Sequence, residues 1–320
     1  MFNKVIDLIG GDLPKVENSL KSVREMPDGH TSELLGYSLG IDGKRIRPAL
    51  TLLSGKFFTN DLPDLIPMAA SVELLHNATL IHDDVIDKST VRHGRPTVND
   101  IWGENKAIIL GDYLFAKAAE LCASTGNIRA IQLFSHTLAM MSIGEMNQAF
   151  DAFNLKQTRE QYLDRICKKT ASLFILATES GAILSKAPEQ SIKILREYGY
   201  NLGMAFQIVD DLLDFLSTED ELGKPVGSDL AQGTLTLPAI LILERQSEDG
   251  SIRNYFENRG DLDMKRRVLE SIRGSSVIQE CYDVAAGYCV NACQKLCLLP
   301  DSLSYQALTD IADFIVKRNN

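Results

Sequence analysis

Leu80-Ile81-His82-Asp83-Asp84-Val85-Ile86-Asp87 and Gln207-Ile208-Val209-Asp210-Asp211-Leu212-Leu213-Asp214 share one outline, Asp-Asp-x-x-Asp inside an otherwise apolar run, 127 residues apart. Apolar flanks predict burial, and ionised carboxylates are seldom buried without partners. Three of them at i, i+1 and i+4 repel one another unless a cation lies between them. Hard divalent cations such as Mg²⁺ take oxygen ligands and commonly share them with substrate phosphates. The doubled run therefore predicts a cleft with two acidic walls that hold Mg²⁺ and a phosphorylated substrate. One Asp pair at helical spacing is ordinarily a solvated face; two complete runs in apolar surroundings are not.

The residues around these runs recur at three- and four-residue spacing, which predicts helices. Stripes run over 65–87, 106–124 and 128–150, and further helices are expected over 159–185, 189–216, 234–247, 263–273, 276–297 and 302–317. No proline occurs from Thr97 to Ala187 or from Ala239 to Leu299. Strand-like alternation is scarce. The breaks between helices are short and of ordinary composition, so residues 1–320 are expected to form one all-α domain. At 100° per residue, Asp83 and Asp87 lie about 40° apart, and His76 lies two turns below Asp83 and about 20° from it. The same arithmetic puts Gln207, Asp210, Asp211 and Asp214 along one side of their helix.

Composition narrows the chemistry. The net charge of −10 argues against a nucleic-acid surface. An anionic substrate must then be held by local basic clusters or by metal. Three such clusters stand beside the acidic runs: Gly43-Lys44-Arg45-Ile46-Arg47-Pro48, Val91-Arg92-His93-Gly94-Arg95-Pro96-Thr97 and Gly223-Lys224-Pro225-Val226-Gly227-Ser228-Asp229. None is a P-loop, because Gly-Lys is never followed by Ser or Thr in the required frame. No Ser-His-Asp set or nucleophile elbow is present. The six cysteines lack a disulfide-like framework, and Cys289, Cys293 and Cys297 read as reduced core residues. The N-terminus carries early acids and no long apolar segment, and no run of 18 apolar residues exists. A reduced, cytoplasmic setting is expected.

Together these motifs resemble those of the trans-isoprenyl diphosphate synthases, which elongate allylic diphosphates with isopentenyl diphosphate. The resemblance spans roughly residues 40–240 and is closest to medium- and long-chain members. It implies the class I isoprenoid synthase fold, a bundle of mostly antiparallel helices around a deep apolar cavity, usually dimeric. It implies that Asp83, Asp84, Asp87, Asp210, Asp211 and Asp214 bind Mg²⁺ and the allylic diphosphate. Lys44, Arg47 and His76 match contacts to isopentenyl diphosphate. Arg92, Lys169, beside Thr170, and Lys224 match contacts to the allylic diphosphate, and Gln207 matches a glutamine near the reacting carbons.

Two positions depart from the family pattern. His93 stands where an arginine usually holds isopentenyl diphosphate, and Thr234 stands where short-chain members carry lysine. The implied reaction is ionisation, condensation and proton loss, the proton leaving with the departing diphosphate. Product length in the family depends on side chains four and five residues before the first Asp. Here these are Thr79 and Ala78, both small, which favours a product of about C30 to C50 over C15 or C20, since each further unit buries more apolar surface. A short-chain synthase, or the catalytic subunit of a heterodimer with a small partner, are the alternatives. A cyclising terpenoid synthase fits less well, because it would lack the Lys44, Arg47 and His76 set. A lipid product would bring the protein to a membrane surface peripherally.

Overall fold

A computed structural model describes residues 8–24, 29–40, 43–59, 63–218, 226–245 and 250–317. Their chain runs α1 (Leu13–Arg24), α2 (Gly29–Leu39), α3 (Ile46–Lys56), α4 (Leu65–Ile86), a two-stranded hairpin of β1 (Val91–Arg92) and β2 (Arg95–Pro96), α5 (Val98–Trp102), α6 (Glu104–Ser124), α7 (Ile128–Phe150) and α8 (Arg159–Ile166). A π-helical turn, Cys167–Ala171, follows, and then α9 (Ser172–Leu184), α10 (Glu189–Leu216), α11 (Ser228–Ala231), α12 (Leu237–Arg245), α13 (Ser251–Glu257), α14 (Leu262–Arg273), α15 (Val277–Leu296) and α16 (Leu303–Val316). The all-α expectation is met. None of these helices is long and apolar enough to cross a membrane.

α9 lies at the centre. Leu173, Phe174, Leu176 and Ala177 are buried, and the helix packs on α3, α7, α4 and α10. It is apolar nearly all round, as a fully enclosed helix must be. α4 packs chiefly on α6, and α10 packs on α15 and α9. Tyr198 of α10 donates to the Leu308 carbonyl of α16 at 2.8 Å, which ties the C-terminal helix to the centre.

Local chemistry sets the helix starts. Thr158 accepts from the Gln161 amide while its own amide donates to the Gln161 side chain, a reciprocal cap that begins α8. Asn127 accepts from the Arg129 and Ala130 amides at the start of α7.

Two departures from the sequence expectation bear on function. The loop after the first acidic run contains the β1–β2 hairpin, turned at His93 and Gly94 with φ of 51° and 71°. Two consecutive positive-φ residues are what a type I′ hairpin requires. The helix expected over 159–185 is instead broken by the π turn, which carries Lys169 and Thr170. Flanking glycines let neighbouring helices close on that turn. A Cβ at Gly144 of α7 would stand 2.8 Å from the Lys169 amide nitrogen, and one at Gly203 of α10 would stand 2.5 Å from Ala171 Cα. Single π turns inside helices recur at functional sites.

Candidate functional site

A cavity of about 610 Å³ opens between the C-terminal ends of α4 and α10, with α6, α7 and the π turn as its other walls. Asp83 and Asp87 line it from α4, and Asp210 and Asp229 line it from α10 and α11. Phe115, Leu138, Met141 and Leu173 add apolar lining to the same cavity. The acidic runs thus sit at helix C-termini, where the backbone already presents partial negative charge. Neither α4 nor α10 has a basic residue in its last turn to offset it. Placing several carboxylates there costs stability unless positive charge arrives from elsewhere.

Part of that charge is Lys169. Its ammonium pairs with Glu145 of α7 and lies 4.0 Å from Asp83. Burial works against the Lys169 charge, but Asp83 and Glu145 outweigh it and raise its pKa. One lysine does not balance the cluster. Burial, with Glu145 and Asp87 adding to it, pushes Asp83 up to about 6 despite Lys169. The donors facing the cavity from both acidic runs are carboxylate oxygens. Among the described residues, no three acidic, histidine or cysteine groups are already gathered to hold a metal. Such a set suits a hard ion that takes one or two carboxylates and completes its shell with phosphate oxygens and water.

The six aspartates do not all face inward. Asp84 lies off the large cavity and accepts from Arg92 Nε at 2.7 Å; burial raises its pKa although Arg92 opposes the rise. Asp211 is buried, taking Tyr162 Oη on one oxygen and Gln207 Nε2 on the other, each at 2.7 Å. Burial raises it to about 6 against both donors. Asp214 accepts from the Ser228 hydroxyl at 2.9 Å, fixing α11 beneath the site. Helical spacing put all four polar residues of α10 on one side; tertiary packing divides them, leaving Gln207 and Asp210 on the cavity.

The basic residues form a second arc. Arg47 lines the large cavity with its guanidinium 4.9 Å from the Phe174 ring centre and 5.7 Å from that of Phe206. His76 and Arg92 line both this cavity and a neighbouring one of about 130 Å³, whose wall also includes His93 and Asp84. Burial, followed by Arg47 and Arg92, holds His76 well below the usual histidine range, so it is neutral. Lys44 is exposed, its ammonium 4.8 Å from the Phe314 ring centre, and lines neither cavity. Lys224 lies outside the described residues. Thr79 lines the large cavity, whereas Ala78 is fully buried and off it. Thr170 lines it too, donating to Gln207 Oε1 at 2.6 Å.

Sequence reading passed over Glu145, Asp229 and Tyr162. Glu145 falls at i+7 and i+4 from Leu138 and Met141 on one cavity-facing stripe of α7, so an acid on that apolar stripe was the available signal. Asp229 sits within a basic cluster that drew attention to its lysine. Nothing local marks Tyr162, which reaches Asp211 from another helix.

Comparison with known proteins agrees with this arrangement. The polyprenyl synthetase family profile matches residues 29–272. Heptaprenyl diphosphate synthase component 2 of Bacillus subtilis is 35% identical over 99% of this chain and 91% of its own length. A short chain isoprenyl diphosphate synthase of Methanothermobacter thermautotrophicus is 38% identical over 87% of each. A crystal structure of polyprenyl synthase from Caulobacter crescentus, complexed with calcium and isoprenyl diphosphate, superposes with a TM-score of 0.96 at 32% identity, covering 100% of this chain and 98% of that one. An all-α bundle whose acidic and basic walls share one apolar cavity, matched in sequence and shape along its length, belongs to the polyprenyl synthetase family, the trans-isoprenyl diphosphate synthases.

Proposed function

We propose that this prenyltransferase uses its two acidic walls to hold an allylic diphosphate through Mg²⁺ and extends it with isopentenyl diphosphate to a product of about C30 to C50, a length set by how much apolar surface the cavity buries. The observation that carries the reading is the placement of Asp83, Asp87 and Asp210 around one cavity that Phe115, Leu138, Met141 and Leu173 also line. Diphosphate belongs at the acidic mouth and the growing tail against Phe115, Leu138 and Met141. Asp83, Asp87 and Asp210 would hold Mg²⁺, which would stabilise the charge that develops on the leaving diphosphate.

The chain's own residues do the positioning. Lys169, held by Glu145, faces the diphosphate end. As the motif resemblance implies, Arg47 and His76, with His93 and Lys44, are assigned to the second diphosphate, that of isopentenyl diphosphate, and Arg92 and Lys224 join Lys169 on the allylic one. The allylic carbon–oxygen bond breaks with its electrons going to diphosphate. The isopentenyl double bond attacks the cation, and a proton then leaves with the diphosphate. His76 is a hydrogen-bonding group here. Fixing two substrates in line is the main contribution expected of such a site.

Small Thr79 leaves the tail free to lengthen, and the heptaprenyl relative supports the longer product, while the short-chain relative keeps the alternative open to test. A pair of copies, or this chain with a smaller partner as the word "component" suggests for the Bacillus protein, fits the exposed Ile108 and Ile109 of α6 and Met146 and Phe150 of α7. We place the protein in the cytoplasm, as one domain over residues 1–320, which its six free cysteines support. Sizing the products from the purified chain alone, given farnesyl diphosphate, labelled isopentenyl diphosphate and Mg²⁺, tests the reading. A ladder reaching C30 or beyond supports it. Arrest at C15 or C20 favours the short-chain alternative, and activity only with a second subunit favours the heterodimer.

A further inference from the structure

Four side chains from three elements form one continuous hydrogen-bonded line into the cavity. Tyr162 Oη of α8 donates to Asp211 Oδ2 at 2.7 Å. Asp211 Oδ1 accepts from Gln207 Nε2 at 2.7 Å. Gln207 Oε1 accepts from the Thr170 hydroxyl at 2.6 Å. Tyr162 and Asp211 are buried and lie off the cavity, while Gln207 and Thr170 line it.

The chemistry of the four groups fixes the direction of every bond. An ionised carboxylate only accepts, so Asp211 must accept a hydrogen bond from each neighbour. Gln207 therefore turns its NH₂ toward Asp211 and its carbonyl oxygen toward Thr170 and the cavity. Were that amide reversed, its carbonyl would meet the carboxylate and its NH₂ would face the cavity. A carbonyl dipole aimed at a carbon that becomes cationic stabilises it; an NH₂ there would oppose it.

We propose that Tyr162 and Asp211 are positioning residues that lock the Gln207 carbonyl toward the allylic carbon, and that Asp211 serves this line and not the metal. The inference rests on the prenyl transfer proposed above. Asp210, one residue earlier and facing the cavity, is then the second run's cation ligand. Burial also pushes Tyr162 well above the usual tyrosine range, with Asp211 adding to the shift, so its hydroxyl keeps its proton and remains a donor.

The test uses the purified full chain with farnesyl diphosphate, isopentenyl diphosphate and a Mg²⁺ titration. Tyr162→Phe keeps the ring and removes only the donor. Its kcat should fall by about 10- to 100-fold, the scale of a misaligned catalytic group, with KM for both substrates and the Mg²⁺ half-saturation unchanged. Adding Gln207→Ala to Tyr162→Phe should lower kcat no further than Gln207→Ala alone, because both act through one group. Asp211→Asn should behave as Tyr162→Phe does, whereas Asp210→Asn should raise the Mg²⁺ requirement. Wild-type kcat in Tyr162→Phe, multiplying losses in the double variant, or a raised Mg²⁺ requirement in Asp211→Asn would each overturn the proposal. Absence of turnover in the wild-type chain, both alone and with a second subunit, would instead sink the prenyl transfer reading, and this line with it.

Discussion

At the scale of single residues, the site is a set of charges whose partners differ although their sequence contexts look alike. Asp83 and Asp84 are neighbours, yet one faces Lys169 and the cavity while the other is bonded to Arg92. That division was not readable from Asp-Asp-x-x-Asp, because a run of letters does not say what packs on each side. The His93 substitution was readable, and its consequence is testable. His93 sits at the hairpin tip beside the smaller cavity. Imidazole is charged over part of the neutral range only, whereas guanidinium is charged throughout and can grip phosphate with two bonds. His93→Arg should lower KM for isopentenyl diphosphate by up to about fivefold, the worth of roughly one exposed ion pair, and flatten its dependence on pH. Initial rates from pH 6 to 9 decide this, and unchanged KM and pH profile would separate His93 from the substrate. Thr79 is the residue to change for product length. It lines the cavity, so Thr79→Phe should shorten the products toward C15 or C20 while condensation continues. Ala78→Phe adds a ring at a fully buried position, and it should cost about 1–3 kcal/mol through overpacking and shorten products only by displacing its neighbours. An unchanged ladder in Thr79→Phe would move the stop to other side chains, with Leu138 and Met141 the first candidates.

At the scale of elements, the long helices were legible because their apolar stripes are long and uninterrupted. The boundaries of α4, α7 and α10 fall within a residue of those expected. The helices α1 and α2 have shorter stripes and were not anticipated. The π turn was invisible because Cys167–Ala171 carries no local signal for it, while the helices packed on it approach closely through Gly144 and Gly203, far away in sequence. Gly203→Ala tests this. The new methyl would meet Ala171 Cα at 2.5 Å, a backbone atom that cannot step aside. Destabilisation of about 1–3 kcal/mol is expected. A fall in kcat larger than the change in KM should accompany it, since Lys169 and Thr170 move with the turn. Denaturant unfolding and steady-state rates on one preparation check both. Normal kcat in a destabilised Gly203→Ala protein would mean that the turn's shape does not set the reacting geometry.

At the scale of the whole molecule, fold and function pull against each other where two helix C-termini carry the acids. Desolvation, with Glu145 and Asp87 adding to it, pushes half-buried Asp83 up to about 6 in the folded chain, against a reference of 3.8. Between these values the folded state holds a proton that the unfolded state has released. The cation-free fold therefore loses up to about 3 kcal/mol from this group as pH rises from about 4 to about 6, and the loss levels off above. Asp83→Asn cannot ionise, so without divalent cations it should match the wild type near pH 4 and exceed it above pH 6. Urea midpoints across that range measure it, and a wild type as stable as the variant at pH 7 would count against the buried-charge account. A bound divalent cation should relieve the same charge, and Mg²⁺ should raise the wild-type melting temperature more at pH 7.5 than at pH 5. The central claim is that the acidic ends of α4 and α10 act together, through a divalent cation, on one diphosphate. Its most direct test is the rate of diphosphate release from farnesyl diphosphate and isopentenyl diphosphate, measured with Mg²⁺ for the wild type, Asp83→Ala and Asp210→Ala, and with EDTA for the wild type. The account predicts a loss of about a thousandfold or more in each variant, on the scale of lost transition-state charge stabilisation, with the fold intact by circular dichroism and no release in EDTA. Full activity in EDTA, or in either variant, would contradict it.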